Sequence, residues 1–224
     1  MDRILPYPLP QRENLPQSVV GWVPNRNRAA LLIHDMQNYF VDFFEADKDP
    51  IHSVIRNINR LLNTAREQDI PVFYTAQPGS MTPEQRGLLS SIWGEGMKAT
   101  DEHRQIVAPL TPIEGETVLT KWRYSAFFQS HLLQSLRRLH RDQLIICGVY
   151  AHIGCLTTAI EAYSHDIETF FISDAVADFS QDKHHLALSF AAEICAMVVP
   201  TEQMISHLLP TSIGPQFATE TRTV

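Results

Sequence analysis

Apolar residues change period along the chain in a repeating order, and that order predicts the fold. Ala29-Ala30-Leu31-Leu32-Ile33 is a short unbroken apolar run ending on His34-Asp35, the pattern of a strand buried on both faces. Ile51, Val54, Ile55, Ile58, Leu61, Leu62 and Ala65 then recur at helical spacing, which predicts an amphipathic helix of about four turns. Pro71–Thr75 follows as a second strand, ending near Gln77. A long polar stretch over 79–115 holds one short helical candidate, around Pro83–Leu89. So long an excursion inside a compact domain reads as a functional covering segment.

The alternation then resumes. Thr117–Thr120 predicts a strand, and Leu132, Leu133, Leu136 and Leu139 mark a helix. Leu144–Val149 is the clearest strand of the chain, with a helix expected over about 153–165 and a strand over Thr169–Ile172. A helix over Lys183–Ala196, a last strand over Met197–Val199 and a helix over about 202–209 complete the pattern. Strands alternating with helices of this length mean parallel βαβ units, hence an α/β fold with helices on both faces of one sheet. Residues 1–27, with Pro6, Pro8, Pro10, Pro16 and Pro24, read as an extended arm packed on the surface or on another subunit. Residues 210–224 read as a C-terminal tail or linker remnant, leaving one domain over 28–209.

Composition narrows the function classes. With 44% hydrophobic and 19% charged residues the chain is not disordered. A net charge of −7 argues against a dedicated binder of nucleic acid or anionic membrane, while leaving room for an anionic substrate held by local cations. No apolar stretch approaches the roughly 18–20 residues of a membrane span, and the first residues lack a signal-peptide layout. Cys147, Cys155 and Cys195 are odd in number and lack metal-like spacing, so a reducing, cytoplasmic setting fits best.

Ligands of open α/β sheets bind beyond the carboxyl ends of the strands. Those ends deliver Asp35, Gln77, Lys121, and Tyr150 with His152 and Gly154: an acid, an amide, a cation and a phenol on one edge. No glycine follows the first strand in His34-Asp35-Met36-Gln37-Asn38-Tyr39-Phe40, which disfavours a phosphate loop, and no Gly-x-Ser-x-Gly elbow exists. Cys155, where a strand enters a helix, is a candidate thiolate. His34 and His152 are candidate bases and equally read as buried structural histidines, while His184-His185 is read as solvated.

Four motifs in order resemble one family. Ala30-Leu31-Leu32-Ile33-His34-Asp35-Met36-Gln37, Tyr74-Thr75-Ala76-Gln77-Pro78, Leu119-Thr120-Lys121-Trp122-Arg123-Tyr124-Ser125-Ala126-Phe127 and Gly148-Val149-Tyr150-Ala151-His152-Ile153-Gly154-Cys155 are similar to isochorismatases, within the cysteine-hydrolase-like superfamily. Asp174-Ala175-Val176-Ala177-Asp178-Phe179-Ser180 adds to the resemblance. It implies a three-layer sandwich around a six-stranded parallel sheet, which agrees with the six strands counted above, and a homo-oligomer. Amidohydrolase members carry their nucleophilic cysteine six positions after the residue matching Gly148, which here is Gly154; Cys155 is one place further. One helical step turns a side chain by about 100°, so Cys155 is expected to point away, and a glycine at 154 is expected to free space for a bulkier substrate.

The resemblance further implies hydrolysis of the enolpyruvyl vinyl ether of isochorismate to 2,3-dihydroxy-2,3-dihydrobenzoate and pyruvate, in catecholate siderophore biosynthesis. The alternative is the phenazine-pathway hydrolase, which converts 2-amino-2-deoxyisochorismate to trans-2,3-dihydro-3-hydroxyanthranilate and pyruvate. Asp35 is assigned as general acid and Lys121 as its partner and a holder of the enolpyruvyl carboxylate. Gln77, Arg86, Tyr150 and Gly154 are assigned to substrate binding, with Phe40, Trp93 and Tyr124 as apolar walls. The family also places a non-proline cis peptide after the residue matching Val149. Neither cofactor nor metal is expected, because Gln77-Pro78-Gly79-Ser80 lacks the Asp/His cluster of zinc-binding members. Siderophore synthetases are expected partners if a carrier domain follows in the full gene.

Overall fold

Successive residues of the first strand enter opposite cores: Ala29, Leu31 and Ile33 one, Ala30 and Leu32 the other, all buried. A strand alternates its side chains by a period of two, so an unbroken apolar run needs a layer of helices on each side. The computed structural model, which describes residues 2–210, supplies both.

The sheet comprises β1 (Ala29–His34), β2 (Val72–Ala76), β3 (Thr117–Thr120), β4 (Gln143–Val149), β5 (Glu168–Ala177) and β6 (Ala196–Val199). All neighbours pair in parallel, in the order β3-β2-β1-β4-β5-β6. The chain order reverses between β1 and β4, the point at which doubly wound sheets open a crevice beyond their strand ends. One face is covered by α2 (Ile51–Glu67), which buries the predicted stripe, and by α9 (Thr201–Leu208). The other is covered by α6 (Leu132–Arg138), α7 (Leu156–Ser164) and α8 (Gln181–Ile194).

Several expectations need correction. β5 runs five residues beyond Ile172, through Ser173 and Asp174 to Ala177, with its register to β4 shifting between Ile146 and Gly148. Asp174 ends the apolar pattern for a tertiary reason: its Oδ1 accepts the N–H and hydroxyl of Thr201, both at 2.7 Å, at the start of α9. The segment 79–115 carries three short α-helices rather than one, α3 (Pro83–Arg86), α4 (Leu89–Trp93) and α5 (Asp101–Arg104), with a 3-10 turn over Ala108–Leu110, and a further short helix, α1 (Asn38–Val41), follows β1. The helix expected over 153–165 begins with a π turn over Ala151–Cys155.

The arm packs on its own chain. Ile4 N–H donates to Phe43 O at 2.8 Å, and the buried Tyr7 hydroxyl takes the Asp178 N–H at 2.7 Å. His184 is not solvated. It is buried, with Nε2 at 3.0 Å from Ser173 O and Nδ1 at 3.3 Å from the Tyr7 hydroxyl. Of the expected tail, residues 211–224 lie outside the described residues. No described helix is long and apolar enough to cross a membrane.

Candidate active site

Asp35 stands where β1 ends, with φ +50, a left-handed conformation that a short polar residue tolerates better than most. Its backbone N–H donates to Thr75 Oγ1 at 3.0 Å, and the same hydroxyl donates to Asp35 Oδ1 at 2.5 Å. Lys121, placed just past β3 by its own N–H to Ala76 O, brings its ammonium 2.9 Å from Asp35 Oδ2. Both side chains are buried. Burial opposes charge on Asp35, while Lys121, the neighbouring His34 and the Thr75 hydroxyl oppose protonation; their joint effect holds the carboxyl below the ordinary carboxylate range.

The pair opens into a cavity of about 230 Å³. All nine residues singled out in the sequence line it: Asp35, Lys121, Gln77 and Arg86, then Tyr150 and Gly154, then Phe40, Trp93 and Tyr124. The covering segment contributes Arg86, which is 6% exposed. Its guanidinium donates to Gly94 O at 2.9 Å and reaches Gln77 Oε1 and Trp93 O at 3.4 Å. Gly96, with φ +80, lets the chain pass over it, since a Cβ there would lie 2.6 Å from Arg86 Cζ. Trp93 is fixed by its indole N–H to the Tyr124 hydroxyl at 2.9 Å. The Tyr150 hydroxyl donates to Phe40 O at 2.8 Å, so Tyr150 presents its ring to the cavity. The Val149–Tyr150 peptide is cis, as the resemblance implied.

Some residues escaped the sequence reading. Tyr39, Leu89, Ile92, Ile153 and Phe179 also line the cavity, and Phe179 packs its ring 4.3 Å from that of Tyr150. Arg123 lines it too, its Nη1 held by Trp122 O at 2.6 Å and Gln85 O at 2.8 Å. Its place beside Lys121 in the third motif was the available signal. Gln37 clamps the backbone of Gln77, accepting its N–H at 2.7 Å and donating to its carbonyl at 3.0 Å. Among the described residues neither Arg86 nor Arg123 forms an ion pair with a carboxylate of the protein.

Cys155 does not face the cavity. It is fully buried in the core beneath α7, and burial pushes its thiol well above the ordinary range. The volume that a side chain at 154 would occupy is not free for substrate, contrary to expectation, although the Gly154 backbone lines the cavity. A Cβ at 154 would lie 2.2 Å from Cε1 of His34, whose ring fills that space. His152 is half-buried, its Nδ1 at 2.7 Å from Asp178 Oδ1 and its backbone N–H at 2.6 Å from Oδ2. That carboxylate ties the π turn to the end of β5.

Residues 29–203 match the isochorismatase domain. The chain is 51% identical over 205 residues to the isochorismatase of Bacillus subtilis (strain 168), covering 92% of this chain and 66% of that protein. It is 49% identical over 203 residues to the phenazine biosynthesis protein PhzD of Pseudomonas fluorescens, covering 90% and 97%. It is 47% identical over 206 residues to enterobactin synthase component B of Escherichia coli (strain K12), covering 92% and 72%. Its fold resembles the crystal structure of a cysteine hydrolase from Pseudomonas syringae pv. phaseolicola 1448A, with a TM-score of 0.77 at 22% identity over 84% of this chain and 96% of that one.

Proposed function

The chain belongs to the isochorismatase family, a family of hydrolases, and from that premise we propose that it cleaves the enolpyruvyl vinyl ether of isochorismate to pyruvate and 2,3-dihydroxy-2,3-dihydrobenzoate, on the way to catecholate siderophores. One observation supports this reading above the others. Among the described residues a single buried carboxylate, Asp35, faces a cavity that also holds two guanidinium groups, Arg86 and Arg123, neither of them paired with a protein carboxylate. Isochorismate carries two carboxylates, and a guanidinium binds such a group bidentately.

The reaction needs one positioned acid and sites for anions. In the free protein Asp35 is ionised by Lys121 and Thr75. Two substrate carboxylates arriving beside it disfavour its charge and raise its pKa, so that it takes up a proton from solvent, while Lys121 turns to the enolpyruvyl carboxylate. Asp35 then gives its proton to the terminal methylene, which becomes a methyl group, and the ether oxygen stabilises the oxocarbenium centre. Water adds to that carbon and returns a proton to Asp35. The hemiketal collapses by breaking the bond to the ring oxygen, which takes up the hemiketal proton, and pyruvate leaves. Aromatic groups of Phe40, Trp93, Tyr150 and Phe179 wall the ring and limit the water that enters.

The test is incubation with isochorismate and coupled detection of pyruvate by lactate dehydrogenase, set beside the same assay on 2-amino-2-deoxyisochorismate. The reading expects the larger kcat/KM for isochorismate. A tenfold preference for the amino analogue assigns the protein to the phenazine reaction instead, and no pyruvate from either ends the proposal.

A further inference from the structure

We infer that His34 and Gly154 form one steric unit, in which the imidazole occupies the volume a side chain at 154 would need and so keeps the cavity floor bare backbone there. The glycine is not demanded by conformation, because Gly154 lies in a right-handed π turn rather than in the left-handed region. Only a neighbour forbids a side chain. A Cβ at 154 would stand 2.2 Å from His34 Cε1 and 3.0 Å from both ring nitrogens, closer than side-chain packing allows.

The ring cannot step aside. His34 has no exposed surface. The Ala126 N–H donates to Thr158 Oγ1 at 2.9 Å, and that hydroxyl lies 3.3 Å from His34 Nε2. Val149 O, 3.1 Å from Nδ1, can only accept, so Nδ1 carries the proton of the neutral ring and Nε2 is left to accept from Thr158. On the main-chain side, a Cβ at 148 would meet His34 O at 2.1 Å, so Gly148, with φ +117, packs directly on the backbone of His34. One glycine seats the backbone of His34 and the other its ring.

The consequence reaches the chemistry. His34 does not line the cavity, yet its Nδ1 lies 3.5 Å from Asp35 Oδ2 and closes the carboxylate from behind. His34 is thus a positioning residue for Asp35, and no side-chain nucleophile can stand at 154 while it is present. The inference holds whichever substrate the cavity takes, because three of its four readouts, melting, soluble yield and NMR, need none.

The experiment is a double-mutant cycle on the full chain, with Gly154→Ala, His34→Val and the two combined, read by thermal melting, soluble yield and isochorismate turnover. Gly154→Ala alone is expected to lower Tm sharply and kcat/KM at least a hundredfold. Adding His34→Val should raise both above the Gly154→Ala level, including recovery of a folded protein if the single variant does not fold. His34→Val alone should lower kcat with KM changed less than threefold. The unsubstituted protein gives an independent reading: ¹⁵N NMR should show one imidazole protonated at Nδ1 only and neutral from pH 8 to 5.5. A stable, active Gly154→Ala protein overturns the inference. So does a double variant no better than Gly154→Ala, or a His34 ring that is protonated at Nε2 or titrates near pH 6.5.

Discussion

Lys121 Nζ lies 2.9 Å from Asp35 Oδ2 while the Thr75 hydroxyl lies 2.5 Å from Oδ1, so both oxygens of this buried acid in the cavity already accept a hydrogen bond. A carboxylate held this way is ready to receive a proton only when something reduces the positive field around it. A dianionic substrate does so with its own charges.

Replacing Asp35 by Asn keeps the shape and removes the proton. The kcat of Asp35→Asn should fall by about 10²–10⁴-fold, the usual worth of a general acid, while substrate binding survives because Lys121, Arg86 and Arg123 remain. Lys121→Ala should damage KM and kcat together. Steady-state kinetics on folded variants separates these outcomes, and near-normal turnover by Asp35→Asn sends the search for the acid elsewhere.

The two pH profiles should differ. The profile of kcat/KM reports the free enzyme and that of kcat the complex. In the free enzyme Asp35 sits below the ordinary carboxylate range, so kcat/KM should fall with rising pH from the acid side onward. In the complex its pKa is raised, so kcat should hold to a higher pH before falling. Coincident limbs in the two profiles would contradict the substrate's role in protonating Asp35.

Cys155→Ala should retain activity within tenfold, and iodoacetamide should inactivate the native protein slowly, since the thiol is fully buried and its pKa is raised by that burial. A loss above about a hundredfold in the folded variant, roughly 2.7 kcal/mol of barrier, would return Cys155 to the reaction.

Stability should fall on mild acidification. His34 and His184 are both lowered by burial to about 4 from an ordinary 6.5. The unfolded chain takes up a proton on each as pH falls below 6.5, and the folded chain refuses it until about 4. Their contribution is complete above pH 6.5 and is lost through that window, on the order of 3 kcal/mol for each group. Urea unfolding at pH 7.5, 6 and 5 measures it, and an unchanged free energy across the three would count against both buried neutral rings.

Much of the fold and site was legible in the sequence because it rests on local pattern. The apolar run Ala29–Ile33 and the helical stripe of Ile51–Ala65 announce their burial, and strand ends announce Asp35, Gln77, Lys121 and Gly154. What escaped rests on contacts distant in sequence. The extension of β5 through Ser173 and Asp174 depends on His184 and Thr201, and the burial of His184 depends on Tyr7 from the arm. The short helices over the cavity are too brief to carry a period, and Phe179 reaches it only because β5 runs on to Ala177. The occupancy of the space above Gly154 by His34 joins positions on two strand ends, and no spacing along the chain reveals it.

Hydrolysis that begins with protonation of the enolpyruvyl methylene by Asp35 leaves a trace, because the proton itself can be followed. Asp35 exchanges with solvent, so the reaction run in D₂O, with pyruvate trapped at once as lactate, should place one deuterium in the methyl group. Mass spectrometry of the lactate reads it directly. A pericyclic elimination would instead carry a ring hydrogen to the methylene and leave an aromatic product. Lactate with one solvent deuterium, beside a dihydroxylated diene, is the predicted result; an unlabelled methyl group beside an aromatic acid contradicts it.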